Sequence, residues 1–435
     1  MSVSLILSFL TVAIFLVWMF VTRDDKNRLF VQFILVAYPF LNAYILPGKF
    51  AMNGFNLLVY IFTFCFYKRR RDVHLKNKGI AFTTLFVILL VNILVGLFLA
   101  ESLGDDTIRD ILDFFPIFIF AKIVTDECLD DPSFFYKIIA CLRITLMVAF
   151  FFLCCQFVLG VSFTLSTVQN PNMSGDVARY PGFFSDPQVF SQYLAAMSFL
   201  CLIKNPEDER LPLLNYALLI FSVIAIMYTG GRGGLGGWAA GFFFVAMFGN
   251  SKYRTSAIIT AILLFGIVYA FGDKFAVFQR GDNLNDSYED RLSIWKDAFQ
   301  IYLNNPFFGI GLGNYSNYVS VHNPDQFWMV GQEVVYYDHP ESGYLKLLTE
   351  LGSFGFLSFL GLIFVPIING ILLYLRKKNI AIILLIAAVL SWLVAFYTVY
   401  SLGDVRMKLL IVTLICLIIT SSQRVQFEEN AEETI

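Results

Sequence analysis

Long apolar runs separated by short polar breaks dominate the chain. A hydrocarbon core of roughly 30 Å needs about 20 apolar helical residues per crossing, and by that measure the sequence carries roughly 12–13 such runs. They lie at 3–22, 29–48, 53–67, 80–100, 111–125, 134–160, 190–203, 213–229, 235–249, 257–272, 350–375, 380–399 and 406–422, with 53–67, 111–125 and 190–203 at or below minimum length. The pattern predicts an all-α polytopic membrane protein with a single integral membrane domain over 1–435. The first run has neither a basic start nor a small-residue cleavage site, so it reads as a retained helix. Residues 423–435 read as an acidic, poorly ordered cytoplasmic tail.

Two polar stretches interrupt this pattern, at 161–189 and 273–349. Within the second, Leu292, Trp295, Phe299 and Tyr302 recur at helical spacing opposite Ser293, Lys296 and Gln300, which predicts an amphipathic helix lying at the membrane surface. Asn-Asn-Pro ends it, and the glycines of GIGLGNY permit positive φ or close backbone approach. From Ser342 helical periodicity resumes, with Lys346 and Glu350 spaced as an i,i+4 pair. That helix is expected to begin outside the bilayer and run into it.

Composition agrees: 58% of the 435 residues are hydrophobic and 15% charged, which excludes a soluble multidomain protein. Lys and Arg are retained on the cytoplasmic side. Placing KRRRDVHLKNK at 68–78 inside puts the other basic clusters inside too and leaves 101–110, 161–189, 230–234 and 273–349 outside. No cysteine falls in those outer loops, so no disulfide framework is implied. The net charge of −2 points to no partner, and no basic groove with interleaved aromatics suggests nucleic acid.

The outer loops are poor in basic residues, which singles out Arg179, Arg232, Arg280 and Arg291. A guanidinium grips a phosphate bidentately and stays protonated. Arg232, in the glycine-rich YTGGRGGLGGW, sits where one helix ends and another begins; a tight turn with a snorkelling cation explains the same residues. Asp338, His339 and Glu341 set three proton acceptors beside a helix start, which a solvated acidic turn would also do. Asp113, Lys122, Lys137 and Arg143 read as end-of-span or snorkelling residues. Metal chemistry has little support, since there is no His-x3-His or Asp-x-Asp.

Four patterns together resemble the O-antigen polymerase and O-antigen ligase superfamily: RYPGFFSDPQVFSQYL, YTGGRGGLGG, RLSIWKDAFQIYLNNPFFGIGLGNY and ESGYLKLLTELGSFGFLSFL. The resemblance covers roughly residues 170–375. It implies a bacterial cytoplasmic-membrane glycosyltransferase, working on the extracytoplasmic side without cofactor or metal. Its partners would be a polyprenyl-diphosphate-linked oligosaccharide, a growing glycan acceptor, the lipid bilayer and, as a further candidate, a chain-length regulator. Arg232, with Arg179 or Arg291, would hold the diphosphate, and His339 or Glu341 would be the catalytic base for an inverting transfer. In the ligases a His followed by Asn usually stands three residues before the helix Tyr, and here that place is Glu341. The departure favours a polymerase of surface or exopolysaccharide repeat units, with ligation as the nearest alternative. Transport of lipid-linked oligosaccharide is a third reading, against which stands the concentration of distinctive polar residues in outer loops.

Overall fold

The structure, a computed structural model, describes residues 3–432 except 23–24, 47–50, 69–79, 101–104, 166–172, 175–176, 207, 250–253, 256–258, 260–265, 267–268, 280–283 and 331–332. Helices α1 (Val3–Val21), α2 (Lys26–Ala37), α3 (Gly54–Cys65), α4 (Ile80–Leu99), α5 (Asp105–Asp130), α6 (Phe134–Leu159), α7 (Pro187–Leu200), α8 (Leu213–Thr229) and α9 (Arg232–Phe248) form its first part. They are followed by α10 (Leu284–Asn304), α11 (Tyr315–His322), α12 (Gly343–Lys377), α13 (Ile380–Phe396) and α14 (Val405–Glu432). The described strands form three short antiparallel pairs, the longest Phe327–Val330 with Glu333–Tyr336. The chain is thus an all-α polytopic membrane protein.

Among the described residues, four helices are long and apolar enough to cross a membrane: α1, α6, α12 and residues Val405–Ser422 of α14. Thr84–Leu99, α3, α8 and α13 are shorter apolar helices. Ten of the sixteen residues of the 257–272 run lie outside the described residues. α14 continues to Glu432, where the acidic composition predicts an irregular tail; between Val405 and Glu432 no glycine or proline stops it.

α7 explains why the 190–203 run is so short. Asp186 caps it by accepting the Gln188 N–H at 2.7 Å, Pro187 fits its first turn, and all but one of its residues are buried. It packs against α6, α8, α9 and α13, so its length is set by neighbouring helices. Gln192 on α7 donates to the Ala395 and Val399 carbonyls at 3.1 and 3.3 Å, supplying partners at the end of α13.

Glycines bring α9 onto this core. A Cβ at Gly237 would meet the Ser391 carbonyl of α13, one at Gly241 the Ala387 carbonyl, and one at Gly234 the Ser191 side chain of α7. The glycine-rich sequence therefore seats helix on helix, as small residues do in membranes.

The 306–313 turn docks into a break in α12. Gly352 has φ 61° and ψ −169°, interrupting the helix and freeing carbonyls. Ile310 N–H donates to the Thr349 carbonyl at 3.0 Å and Gly311 N–H to the Glu350 carbonyl at 3.0 Å. In return Ser353 N–H donates to the Pro306 carbonyl at 2.8 Å. Gly309, Gly311 and Gly313 all have positive φ, as the sequence leads one to expect.

α10 forms where its periodicity predicts, but buries a different face. Ile294, Ala298 and Ile301 are buried, the latter two against Ile310, Tyr315 and Val319, whereas Leu292 and Phe299 are exposed. The loop between α9 and α12 thus has a small core of its own. Period alone cannot choose between two apolar stripes on one helix.

Candidate functional site

The α8–α9 junction gathers two of the singled-out arginines. Gly230 caps α8 in the left-handed conformation, and Arg179 lies against it: the Arg179 Nε–H donates to the Thr229 carbonyl at 3.0 Å. Arg232 opens α9 with an exposed side chain whose Nε–H donates to the Val277 carbonyl at 3.3 Å. The loop carrying Arg179 and the segment around Val277 therefore meet at one helix N-terminus, where unpaired N–H groups favour anions. Arg280 lies outside the described residues.

The second group is the turn leading into α12. Asp338 Oδ1 and His339 Nδ1 are 2.6 Å apart. His339 Nε2 is buried and has no hydrogen-bond partner among the described residues. Glu341 adopts φ 49°, uncommon for a residue with a side chain, and its Oε2 is 3.3 Å from Arg291 Nη2. The turn thus separates its acids: Asp338 orients the imidazole, and Glu341 holds Arg291.

Lys346, one α12 turn in, pins the dyad from behind. Its Nζ donates to the Asp338 carbonyl at 2.8 Å, lies 3.4 Å from Glu350 Oε1 and sits 4.7 Å above the Tyr400 ring. Glu350 in turn accepts the Tyr315 N–H at 3.2 Å. The i,i+4 pair read from sequence is therefore buried and ties α12 to α11.

Desolvation pulls the His339 pKa down, but the Asp338 charge and hydrogen bond, joined by Glu341, outweigh it and raise the imidazole above its ordinary value. For Asp338, desolvation acts upward, yet His339 and Lys346 hold the carboxyl below the usual carboxylate range. Asp186 is pushed up by desolvation, against the Gln188 N–H and the Arg179 charge, and it also feels Glu341 and His339. Asp186 thus lies electrostatically between the arginine junction and the histidine turn.

A cavity of about 350 Å³ opens beside His339, walled by Asp338, Asp186, Lys346 and Tyr400 and by Arg109 and Asp110 from α5. Arg179, Arg232, Arg291 and Glu341 are not part of its wall. A separate, largely apolar cavity of about 180 Å³ shares Asp110 and Tyr400 with it and runs between α4, α5, α12 and α14.

Several buried charges have roles that differ from their sequence reading or were not singled out by it. Asp113 is 3% exposed; it accepts from Asn56 and is 3.1 Å from Lys408 Nζ. It is an interior residue, where its place near a run end suggested a terminal one. Arg406 is fully buried, with its Nε 2.8 Å from Asp404 Oδ1 and its guanidinium 4.5 Å from the Phe184 ring centroid. Arg143, expected to snorkel, instead donates to the Leu200 carbonyl at 2.9 Å, capping α7. The alternating charges of Asp404, Arg406 and Lys408 at the head of an apolar run were the available signal.

Residues 217–360 match the family model described as O-antigen ligase. The match contains YTGGRGGLGG, the RLSIWKDAF segment and the start of α12, so the resemblance read from sequence holds over that stretch. No curated protein matches the chain.

Proposed function

We propose, with the O-antigen ligase match of residues 217–360 as premise, that this protein is a polymerase of lipid-linked oligosaccharide repeat units. The donor is a polyprenyl-diphosphate-linked glycan, and the reaction takes place at the extracytoplasmic side of the bacterial cytoplasmic membrane. The observation that carries the reading is the His339–Asp338 pair in the cavity wall, with Nε2 buried and unpartnered among the described residues. It has the arrangement a general base needs: one ring nitrogen oriented by a carboxylate, the other left to take a proton.

The acceptor hydroxyl gives its proton to His339 Nε2 as its oxygen bonds to the donor's anomeric carbon. The bond from that carbon to the diphosphate oxygen breaks, and polyprenyl diphosphate leaves. A single displacement inverts the anomeric centre. Arg179 and Arg232 at the α8–α9 junction hold the diphosphate and stabilise the charge developing on it. Arg291, paired with Glu341, supplies a third cation, and a chain-length regulator is a candidate partner.

The family description itself favours a second reading, ligation of glycan onto a lipid or other acceptor. Purified protein in vesicles, given only lipid-linked repeat units, separates the two. Polymerisation predicts a ladder of longer lipid-linked glycans; ligation predicts none until a separate acceptor is added. Transfer that requires such an acceptor would overturn the polymerase assignment.

A further inference from the structure

The arginines that suit a diphosphate do not line the cavity beside His339, so another part of the reacting pair belongs there. Its wall is a carbohydrate-like surface. Tyr44, Phe184 and Tyr400 contribute aromatic side chains, while Asn42, Ser185 and Ser316 contribute neutral polar groups. Its charges are Asp110, Asp186, Asp338 and Asp404 against Arg109 and Lys346, with His339 between them. Behind the wall Arg406 pairs with Asp404, Glu350 with Lys346, and Lys408 with Asp113, so the second layer leaves the acidic excess in place. Ionised carboxylates only accept hydrogen bonds, which fits a ligand rich in hydroxyl donors and repels an anionic one. The volume, about 350 Å³, is near the lower end of the roughly 300–1,000 Å³ typical of small-ligand sites. That suits a terminal sugar unit better than a whole repeat.

We infer that this cavity receives the uncharged terminal sugar of the acceptor glycan and presents one of its hydroxyls to His339 Nε2. The assignment rests on the glycosyl-transfer reading and adds to it a substrate class: acceptors ending in a neutral sugar are used, and those ending in a uronic acid are refused. The cavity lies between α5, α11, α12 and the segments around Asp186 and Asp404, so acceptor choice is set apart from the α8–α9 junction proposed for the donor.

Two measurements on the full-length protein in detergent test this. In the first, saturation-transfer NMR is recorded with soluble oligosaccharides that differ only in a terminal neutral hexose or the corresponding uronic acid. The neutral fragment should bind at least tenfold more tightly, and Ser316→Trp or Ser185→Phe, which enlarge two lining side chains from different segments, should abolish its signal. Equal or tighter binding of the uronic acid, no binding of the neutral fragment, or binding that survives both variants overturns the assignment. In the second, both fragments compete as acceptors for a polyprenyl-diphosphate-linked donor, and at least a tenfold preference for the neutral one is expected. Transfer to both alike overturns the cavity assignment alone. Cavity-dependent binding without transfer to either fragment overturns the glycosyl-transfer reading and leaves the sugar site standing.

Discussion

His339 and Glu341 looked interchangeable as bases in the sequence, two residues apart in one turn, and their partners now separate them. Glu341 is held by Arg291 at 3.3 Å, while His339 is oriented by Asp338 and keeps Nε2 unpartnered among the described residues. His339→Ala should cost about 100- to 10,000-fold in turnover, the usual worth of a positioned base. Glu341→Gln should cost less than about tenfold, since it keeps the side chain's shape and leaves the dyad intact; equal losses in the two variants would return Glu341 to the base role. Only neutral imidazole accepts a proton, and Asp338 with Glu341 raises the His339 pKa. Activity should therefore fall as pH drops through a midpoint above about 6.5, the ordinary histidine value. Asp338→Asn removes the main raising charge and should move that midpoint downward, which a rate profile across pH 5 to 9 would detect. The dyad was legible in sequence as a cluster of acceptors. Its division of labour was not, because it depends on Arg291, 50 residues away in the chain.

At the scale of helices, most boundaries follow from hydropathy and stop signals, and the harder question is which face meets which neighbour. α9 shows the difference. Gly236 and Gly237 are adjacent, but a Cβ at Gly236 has open space while one at Gly237 meets the Ser391 carbonyl. Gly237→Ala should therefore destabilise the protein by about 1–3 kcal/mol through overpacking, whereas Gly236→Ala should be neutral or stabilise by up to about 1 kcal/mol through helix propensity. Thermal unfolding in detergent reads both, and similar shifts would mean that α9 does not lie on α13 as described. Glycine composition alone cannot distinguish these neighbours. α10 has the same ambiguity: two apolar stripes share the helix, and its tertiary partners Ile310, Tyr315 and Val319 select the Ile294 side.

Across the whole molecule, charges distant in sequence are paired inside the bundle. Asp113 and Lys408 lie 295 positions apart and meet at 3.1 Å, joining α5 to α14 in the wall of the apolar cavity. No local pattern could reveal this pairing, although each charge was conspicuous in its own apolar run. Lys408→Met leaves a buried carboxylate without its cation and should cost about 3–5 kcal/mol, and adding Asp113→Asn should recover most of it. The Asp113–Lys408 pair lines the apolar cavity that shares Asp110 and Tyr400 with the acceptor cavity, while Asp186 feels charges of both the arginine junction and the histidine turn. The central claim is that this assembly forms glycosidic bonds with His339 as base. Its most direct test counts bonds formed and polyprenyl diphosphate released by purified protein supplied with lipid-linked repeat units. The account predicts one released diphosphate per new bond, with both lost together in His339→Ala while the variant stays folded. Full bond formation by that variant, or repeat units that cross the membrane without being joined, would contradict it.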